Sequence, residues 1–172
     1  ILGLGYLGVH LAQMLKAVGL RVQGWSRTEK KLDGIHSFSG RTGLDQMLSN
    51  TNCLACLLPN TAVTEGIMNL SLFNKMPRGS YVLNAGRGSQ LVEPDLLEAL
   101  NNGQIKGAAL DVFETEPLPK DHPFWTDSRI LLTPHHAAEV FLPAAAKIFL
   151  KNIYSIRNNL PLMGLVNQEL GY

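Results

Sequence analysis

Ile1-Leu2-Gly3-Leu4-Gly5-Tyr6-Leu7-Gly8, continuing through Val9-His10-Leu11-Ala12-Gln13-Met14-Leu15-Lys16-Ala17-Val18-Gly19, is the stretch that decides how this chain folds. Two apolar residues lead into a GxGxxG spacing. Leu7, Leu11, Met14, Leu15 and Val18 then recur at helical spacing until Gly19 ends the pattern. Glycines at 3, 5 and 8 allow a tight turn and let backbone approach a pyrophosphate, while the first N–H groups of the following helix face the negative charge. A GxGxxG alone also arises as a plain strand-to-helix packing turn. Here Arg21 to Trp25 reads as a strand directly after the helix, and that β-α-β setting favours dinucleotide binding. The chain opens on Ile1 rather than Met and supplies only two strand residues before the turn, where about 5–6 are usual. It therefore reads as a piece of a longer polypeptide.

Working outward, short apolar runs alternate with helical patterns along the rest of the chain. Ile35 to Phe38, Cys53 to Leu58, Tyr81 to Asn84, Ile105 to Leu110 and Ile130 to Thr133 read as strands. Leu44 to Ser49 and Pro94 to Leu100 read as helices, the second closed by Asn102-Gly103. Ala137 to Asn158 reads as a long terminal helix in which Pro143 forces a kink or a late start. This alternation predicts an α/β fold of the Rossmann type, doubly wound, with a mostly parallel sheet covered on both faces. One domain spans residues 1–172, without internal repeats or a linker.

Composition narrows the class. Hydrophobic residues make up 45% of the 172 and charged residues only 17%, which places the chain among well-buried globular proteins rather than disordered ones. A formal net charge of +1 argues against nucleic-acid binding, which calls for a clustered basic excess. No apolar run approaches the roughly 18 residues of a membrane span, and no signal peptide is visible, so a cytoplasmic location is expected. Cys53 and Cys56 are too few for a disulfide framework. On a strand they point to opposite faces, and both are expected to be buried and structural. No His/Cys/Asp/Glu cluster has metal-ligand spacing.

The second strand bears on the cofactor. An NAD site places Asp or Glu about 20 residues after the glycine turn, to bind ribose hydroxyls. This chain has Trp25-Ser26-Arg27-Thr28 instead, with Lys30 and Lys31 just beyond. A carboxylate there would repel a 2′-phosphate, whereas Ser26, Thr28 and the Arg27 guanidinium can hydrogen-bond one. NADP is therefore expected over NAD. Glu29, as a displaced ribose ligand, is the competing assignment.

The chemistry concentrates at Asp111 to His136, DVFETEPLPKDHPFWTDSRILLTPHH. An apolar strand ends on Asp111, a proline-bounded loop carries Glu116, and the next strand ends at Thr133-Pro134-His135. Ligands of open α/β sheets bind at strand ends, so a carboxylate and a histidine delivered there form a candidate proton-transferring pair. Arg87, in Asn84-Ala85-Gly86-Arg87-Gly88, also follows a strand directly. Such an arginine can hold a carboxylate with two hydrogen bonds, a histidine can protonate a carbonyl, and a glutamate can orient that histidine. His136 competes with His135 by adjacency. His10, His36 and His122 are expected at the surface, and Trp125 in packing or at the border of the site.

These motifs resemble the cofactor domain of the D-isomer-specific 2-hydroxyacid dehydrogenases, in particular their bacterial glyoxylate/hydroxypyruvate reductase branch. The matching text is GLGYLG, WSRT, LLPNTAVTEGIMN, MPRGSYVLNAGRG, LVEPDLLEAL, GAALDVFETEPLP, HPFW, TPHHAA and the terminal Gly171-Tyr172. The resemblance implies catalytic roles for three residues. Arg87 binds the substrate carboxylate and polarises its carbonyl, His135 is the acid/base, and Glu116 is its partner. It implies that Gly3, Gly5, Tyr6, Leu7, Gly8, Trp25, Ser26 and Arg27 hold the cofactor. Leu58 and Pro59 would lie beside the adenosine with Thr64 as a neighbouring loop contact, Ala85 and Gly86 would line the site, and Asp111 would lie near the nicotinamide carboxamide. The implied reaction is reduction of a small 2-oxoacid, glyoxylate or hydroxypyruvate, by NADPH in a homodimer. The formate dehydrogenase branch has glutamine in place of Glu116, and formate oxidation needs no proton relay, so Glu116 argues for 2-oxoacid chemistry. A phosphoglycerate- or lactate-type dehydrogenase and a non-catalytic dinucleotide-binding regulator are the alternatives the family leaves open. Its members carry a substrate-binding domain ahead of the glycine turn. Residues 143–172 are expected to pack toward that domain.

Overall fold

In the computed structural model, which describes residues 1–138 and 141–168, the glycine turn and its helix form as the spacing predicts. α1 runs Tyr6–Ala17, and Gly19 adopts φ +87° just beyond it, a left-handed conformation that glycine takes without a Cβ penalty. Gly3 has φ +98°, and a Cβ placed on Gly8 would lie 1.8 Å from the Gly3 carbonyl oxygen. Only glycine at both positions lets the helix start this close to the strand it leaves.

Among the described residues, six strands follow in chain order: β1 Gln23–Trp25, β2 His36–Phe38, β3 Cys53–Cys56, β4 Ser80–Asn84, β5 Ile105–Leu110 and β6 Ile130–Leu132. Each pairs in parallel with its neighbours, as β1-β2 and as β3-β4-β5-β6. Leu2 joins the two groups through parallel bridges to Trp25 and Cys56, with its N–H donating to Ala55 O at 2.7 Å and its carbonyl accepting from Leu57 N–H at 2.8 Å. The strand order thus reverses at Leu2, directly beneath the glycine turn, and such a reversal opens a crevice for ligand.

α2 (Gly40–Leu48), α3 (Leu70–Phe73) and α4 (Glu93–Asn101) supply one helix layer. Their Met47, Leu48, Leu72, Phe73, Leu96, Ala99 and Leu100 form the main core with Leu54, Cys56, Val82 and Leu110 of the sheet. Burying each such leucine contributes roughly 1.5–3 kcal/mol. On the opposite face, Ala12 of α1 packs with Ile1, Ile35 and the half-buried Leu57. Coverage of both faces is therefore local. Past Leu57 the α1 face carries Cys53, Tyr81 and Leu131, all exposed among the described residues. This corrects the expectation for Cys53. Strand parity does send the two cysteines to opposite faces, but only Cys56 is buried, where its thiol is pushed up to about 11 by burial.

Three turns were not expected: α3, capped by Asn69 Oδ1 accepting from Leu72 N–H at 3.0 Å, and the 3-10 turns Gly88–Gln90 and Pro123–Trp125. The first four residues of α2, Gly40 to Gly43, carry no apolar signal, so the helix begins earlier than its leucines indicate. The terminal helix α5 is Leu142–Arg157, with Pro143 in its first turn, where a missing N–H costs nothing. Proline thus delays the start rather than kinking the helix. The match at Gly171-Tyr172 lies outside the described residues, and no described helix is long and apolar enough to cross a membrane.

Candidate active site

A parallel sheet brings the carboxyl ends of all its strands to one edge. Gly3 follows Leu2, Ser26 follows β1, Leu58 follows β3, Ala85 follows β4, Asp111 follows β5 and Thr133 follows β6. The cofactor and catalytic candidates therefore line one rim although they are scattered through the chain.

His135 and Glu116 meet directly, Nδ1 to Oε2 at 2.8 Å. The side chains are 50% and 36% exposed, so the pair is accessible from solvent. Glu116 Oε1 accepts from Phe113 N–H at 3.0 Å, which turns the carboxylate toward the ring. The hydrogen bond from His135 holds the Glu116 carboxyl below the usual glutamate range, against a smaller opposing effect of burial. His136 does not take this position; the adjacent ring that faces Glu116 is that of His135.

The reason lies in Asp111. Its Oδ1 accepts from Thr133 Oγ1 at 2.5 Å and from His136 N–H at 2.8 Å, and its Oδ2 accepts from Ala137 N–H at 2.9 Å. Its carbonyl also accepts from His135 N–H at 2.9 Å. These bonds wrap the turn around a buried carboxylate and hold His135 at φ +57°, a left-handed conformation that is uncommon for residues other than glycine. Burial alone would raise the Asp111 carboxyl, but bonds from Thr133, Ala137 and His136, with the charge of His135, outweigh it and hold it low. Asp111 is engaged chiefly in shaping the histidine turn.

Arg87 lies on the turn after β4, exposed, with Nη1 donating to Gly86 O at 2.7 Å. No bond joins it to the histidine pair, yet its turn abuts their loop, because a Cβ on Gly88 would lie 1.7 Å from Phe113 O. Two buried amides that sequence reasoning missed brace this turn. Gln90 Oε1 accepts from Arg87 N–H at 2.9 Å, and its Nε2 donates to Leu58 O and Pro59 O at 2.9 and 3.0 Å. Asn84 Nδ2 donates to Arg87 O at 3.0 Å while its Oδ1 accepts from Gly86 N–H at 3.1 Å. A polar residue inside an otherwise apolar strand-and-turn pattern, as at Asn84, is the signal that could have found them.

The remaining positions fit a dinucleotide in most respects. α1 has no acidic residue in its first turn and no side-chain cap at Gly5, and a Cβ on Gly5 would meet nothing within 4 Å. Tyr6 and Leu7 are exposed at the helix start and Gly8 is buried behind them. The Trp25 indole donates to Gly40 O at 2.8 Å, Ser26 Oγ donates to Thr28 O at 2.8 Å, and Arg27 is exposed. Leu58 is buried and Pro59 half-buried. Thr64 is turned inward: its hydroxyl donates to Pro59 O at 2.6 Å and accepts from Thr61 N–H at 3.0 Å. Its hydroxyl thereby braces the loop.

The histidines expected at the surface divide. His10 is exposed and stacks on Tyr6 at 5.6 Å, and His36 is exposed and stacks on Phe38 at 4.2 Å. His122 corrects its expectation, being largely shielded and bonded to Glu93, Nε2 to Oε2 at 3.2 Å. Trp125 is exposed, with its indole donating to Pro119 O at 2.8 Å.

A parallel sheet with a glycine turn at its reversal point and reactive side chains along the same rim defines a dinucleotide-binding domain of the Rossmann kind. The chain belongs to the D-isomer specific 2-hydroxyacid dehydrogenase family: the family model described as its NAD binding domain matches residues 1–137. It is 45% identical over all of its length to glyoxylate/hydroxypyruvate reductase A of Serratia proteamaculans, of which it covers 55%. Among solved structures it resembles the NADPH-dependent glyoxylate/hydroxypyruvate reductase of Sinorhizobium meliloti in complex with NADP and sulfate. There the identity is 39% and the TM-score 0.95, over 99% of this chain and 55% of that one. It also resembles a D-isomer specific 2-hydroxyacid dehydrogenase of Xanthobacter autotrophicus in complex with NADPH and MES, at 39% identity and TM-score 0.97, over 99% of this chain and 71% of that one. The chain spans about half the length of the curated relatives it matches.

Proposed function

We propose that this chain is the cofactor half of an NADPH-dependent reductase that converts glyoxylate or hydroxypyruvate to the 2-hydroxyacid. The observation that carries the proposal is the His135–Glu116 pair at 2.8 Å on the rim that also holds the glycine turn. Gly3, Gly5, Tyr6, Leu7 and Gly8 hold the pyrophosphate on backbone N–H groups, and Trp25, Ser26 and Arg27 hold the phosphorylated ribose. Leu58 and Pro59 flank the adenosine, and Ala85, Gly86 and Asp111 border the nicotinamide end. Reduced nicotinamide supplies the hydride when bound.

The chain's own residues supply the rest. Arg87 pairs with the substrate carboxylate in two parallel hydrogen bonds and stabilises charge that develops on the carbonyl oxygen. His135 gives a proton to that oxygen. Glu116 fixes the ring orientation through Nδ1 and leaves Nε2 as the donor toward substrate. We also propose that α5 and its tail, residues 143–172, pack against the substrate-binding half and that the whole protein is a homodimer. The large apolar side chains exposed on and around α5, among them Phe141, Leu142, Phe149 and Tyr154, support burial against further protein.

Oxidation of NADPH, followed spectrophotometrically with glyoxylate and with hydroxypyruvate, tests the function. Turnover with either is expected from the whole protein. Cofactor binding without turnover on any 2-oxoacid would leave the regulator alternative standing. Arg27→Gln is expected to weaken NADPH by about 10-fold or more while changing NADH less than about twofold, because one charge-assisted phosphate bond contributes about 1.5–3 kcal/mol. Equal losses for both cofactors would remove Arg27 from the phosphate site.

A further inference from the structure

We propose that Glu93 and His122 act as positioning residues, clamping both ends of the Glu116 loop to the start of α4 so that Glu116 stays within reach of His135. The inference rests on the function proposed for the His135–Glu116 pair and extends it to residues that touch neither substrate nor cofactor.

Glu93 is the first residue of α4, where the helix dipole favours a carboxylate. Its Oε1 accepts from Glu114 N–H at 3.2 Å, two residues before Glu116. Its Oε2 meets His122 Nε2 at 3.2 Å, at the far end of the same loop. The other ring nitrogen of His122, Nδ1, accepts from Phe124 N–H at 3.3 Å, which assigns the proton to Nε2 and makes His122 the donor to Glu93. One carboxylate therefore ties the entry and the exit of the loop, and the ends cannot separate without breaking its bonds.

The two glutamate–histidine pairs differ in setting. Glu116 and His135 are 36% and 50% exposed, whereas Glu93 and His122 are 12% and 18% exposed. The first pair is open to a reactant, whereas the second is largely shielded. His122 also packs edge-on against the buried Phe124 at 4.4 Å, so its ring has little freedom. The clamp sets the loop against Arg87 as well, since Gly88 packs directly on Phe113 O, one residue before the Glu114 amide that Glu93 holds.

The test is a mutant cycle in the whole protein, read by kcat, by KM for NADPH and by the Glu116 carboxyl titration followed by carbon-13 NMR. Glu93→Ala is expected to lower kcat by about 10- to 100-fold, the scale of an ångström-size misplacement of a catalytic group. KM for NADPH should move less than about twofold, and the depressed Glu116 titration midpoint should return to the ordinary glutamate range. In a Glu116→Ala background, Glu93→Ala should cost nothing more, because it acts through Glu116. His122→Ala should behave as a weaker Glu93→Ala, and His122→Gln, which restores a donor at the Nε2 position, should recover both kcat and the midpoint. The His122 pair decides the matter if Glu93→Ala does not fold. A Glu116 midpoint still depressed in a folded Glu93→Ala or His122→Ala variant would overturn the clamp, as would losses that multiply with Glu116→Ala. Absence of turnover in the parent protein would instead overturn the proposed reaction, and the Glu116 midpoint would still decide the clamp.

Discussion

His135→Ala is expected to lower kcat for 2-oxoacid reduction by about 10³-fold, within the range that a positioned general acid contributes, while leaving NADPH affinity nearly unchanged. The ring is half-exposed and, among the described residues, bonded only through its Nδ1 edge to Glu116, so its removal opens no core cavity and should leave thermal stability close to native. The retained His136 should not substitute, because its backbone N–H is bound to Asp111 and the turn directs its neighbour's ring to Glu116. Glu116→Gln is the companion change: it keeps a hydrogen-bonding oxygen but removes the charge that favours the protonated imidazole. The pH dependence follows from the sign of the Glu116 shift. A carboxyl held below its ordinary value keeps its interaction with His135 above that ordinary value and loses it as pH falls through the folded one. Native activity should thus persist to lower pH than an unpaired glutamate would allow, and Glu116→Gln should lose that acid limb. Unimpaired kcat in His135→Ala would remove the assigned acid.

The parts of this fold that were legible in the sequence are those with local causes. GxGxxG at residues 3–8 demands a tight turn wherever it occurs between strand and helix, and the mostly apolar run Ile105 to Leu110, closed off by Asn102-Gly103 before it, reads as a strand from its own residues. The nearness of Glu116 to His135 was legible for a related reason, since consecutive parallel strands must deliver their ends to one rim. Features set by distant contacts were not. Whether Cys53 is buried depends on what covers the α1 face, and strand parity speaks only of direction. His122 looked like a loop histidine because nothing near it in sequence reveals the carboxylate at the start of α4. The choice between His135 and His136 depends on one left-handed residue, and that conformation is imposed by Asp111 from the preceding strand.

Asp111 is where these long-range causes converge, and its substitution is expected to have the second large effect. Asp111→Ala removes acceptors for Thr133 Oγ1, His136 N–H and Ala137 N–H at once. Hydrogen bonds to a charged group contribute about 1.5–3 kcal/mol each, but the freed amides lie near solvent and regain water, so a net loss of about 3 kcal/mol is expected. The turn should then relax and His135 should leave φ +57°, since an unsupported left-handed residue costs about 1–2 kcal/mol. With the ring out of reach of Glu116, kcat should fall nearly as far as in His135→Ala. Asp111→Asn is the sharper variant. Its single oxygen can still accept from Thr133 and His136, but its amide nitrogen then opposes the Ala137 N–H, donor against donor. It should therefore be intermediate in both stability and kcat. The sign of the Asp111 shift adds an independent check. Its depressed carboxyl stabilises the fold fully above the ordinary aspartate value of about 3.9 and ceases to do so as pH falls through the folded value. The native Tm should drop across that acid window, and Asp111→Asn, lacking the titrating group, should show a flatter profile from a lower start. A residue serving only as a cofactor ligand would change NADPH affinity and leave both the acid profile of the Tm and the His135–Glu116 hydrogen bond intact. An Asp111→Asn protein with native Tm, native acid profile and native kcat would show that the histidine turn holds itself.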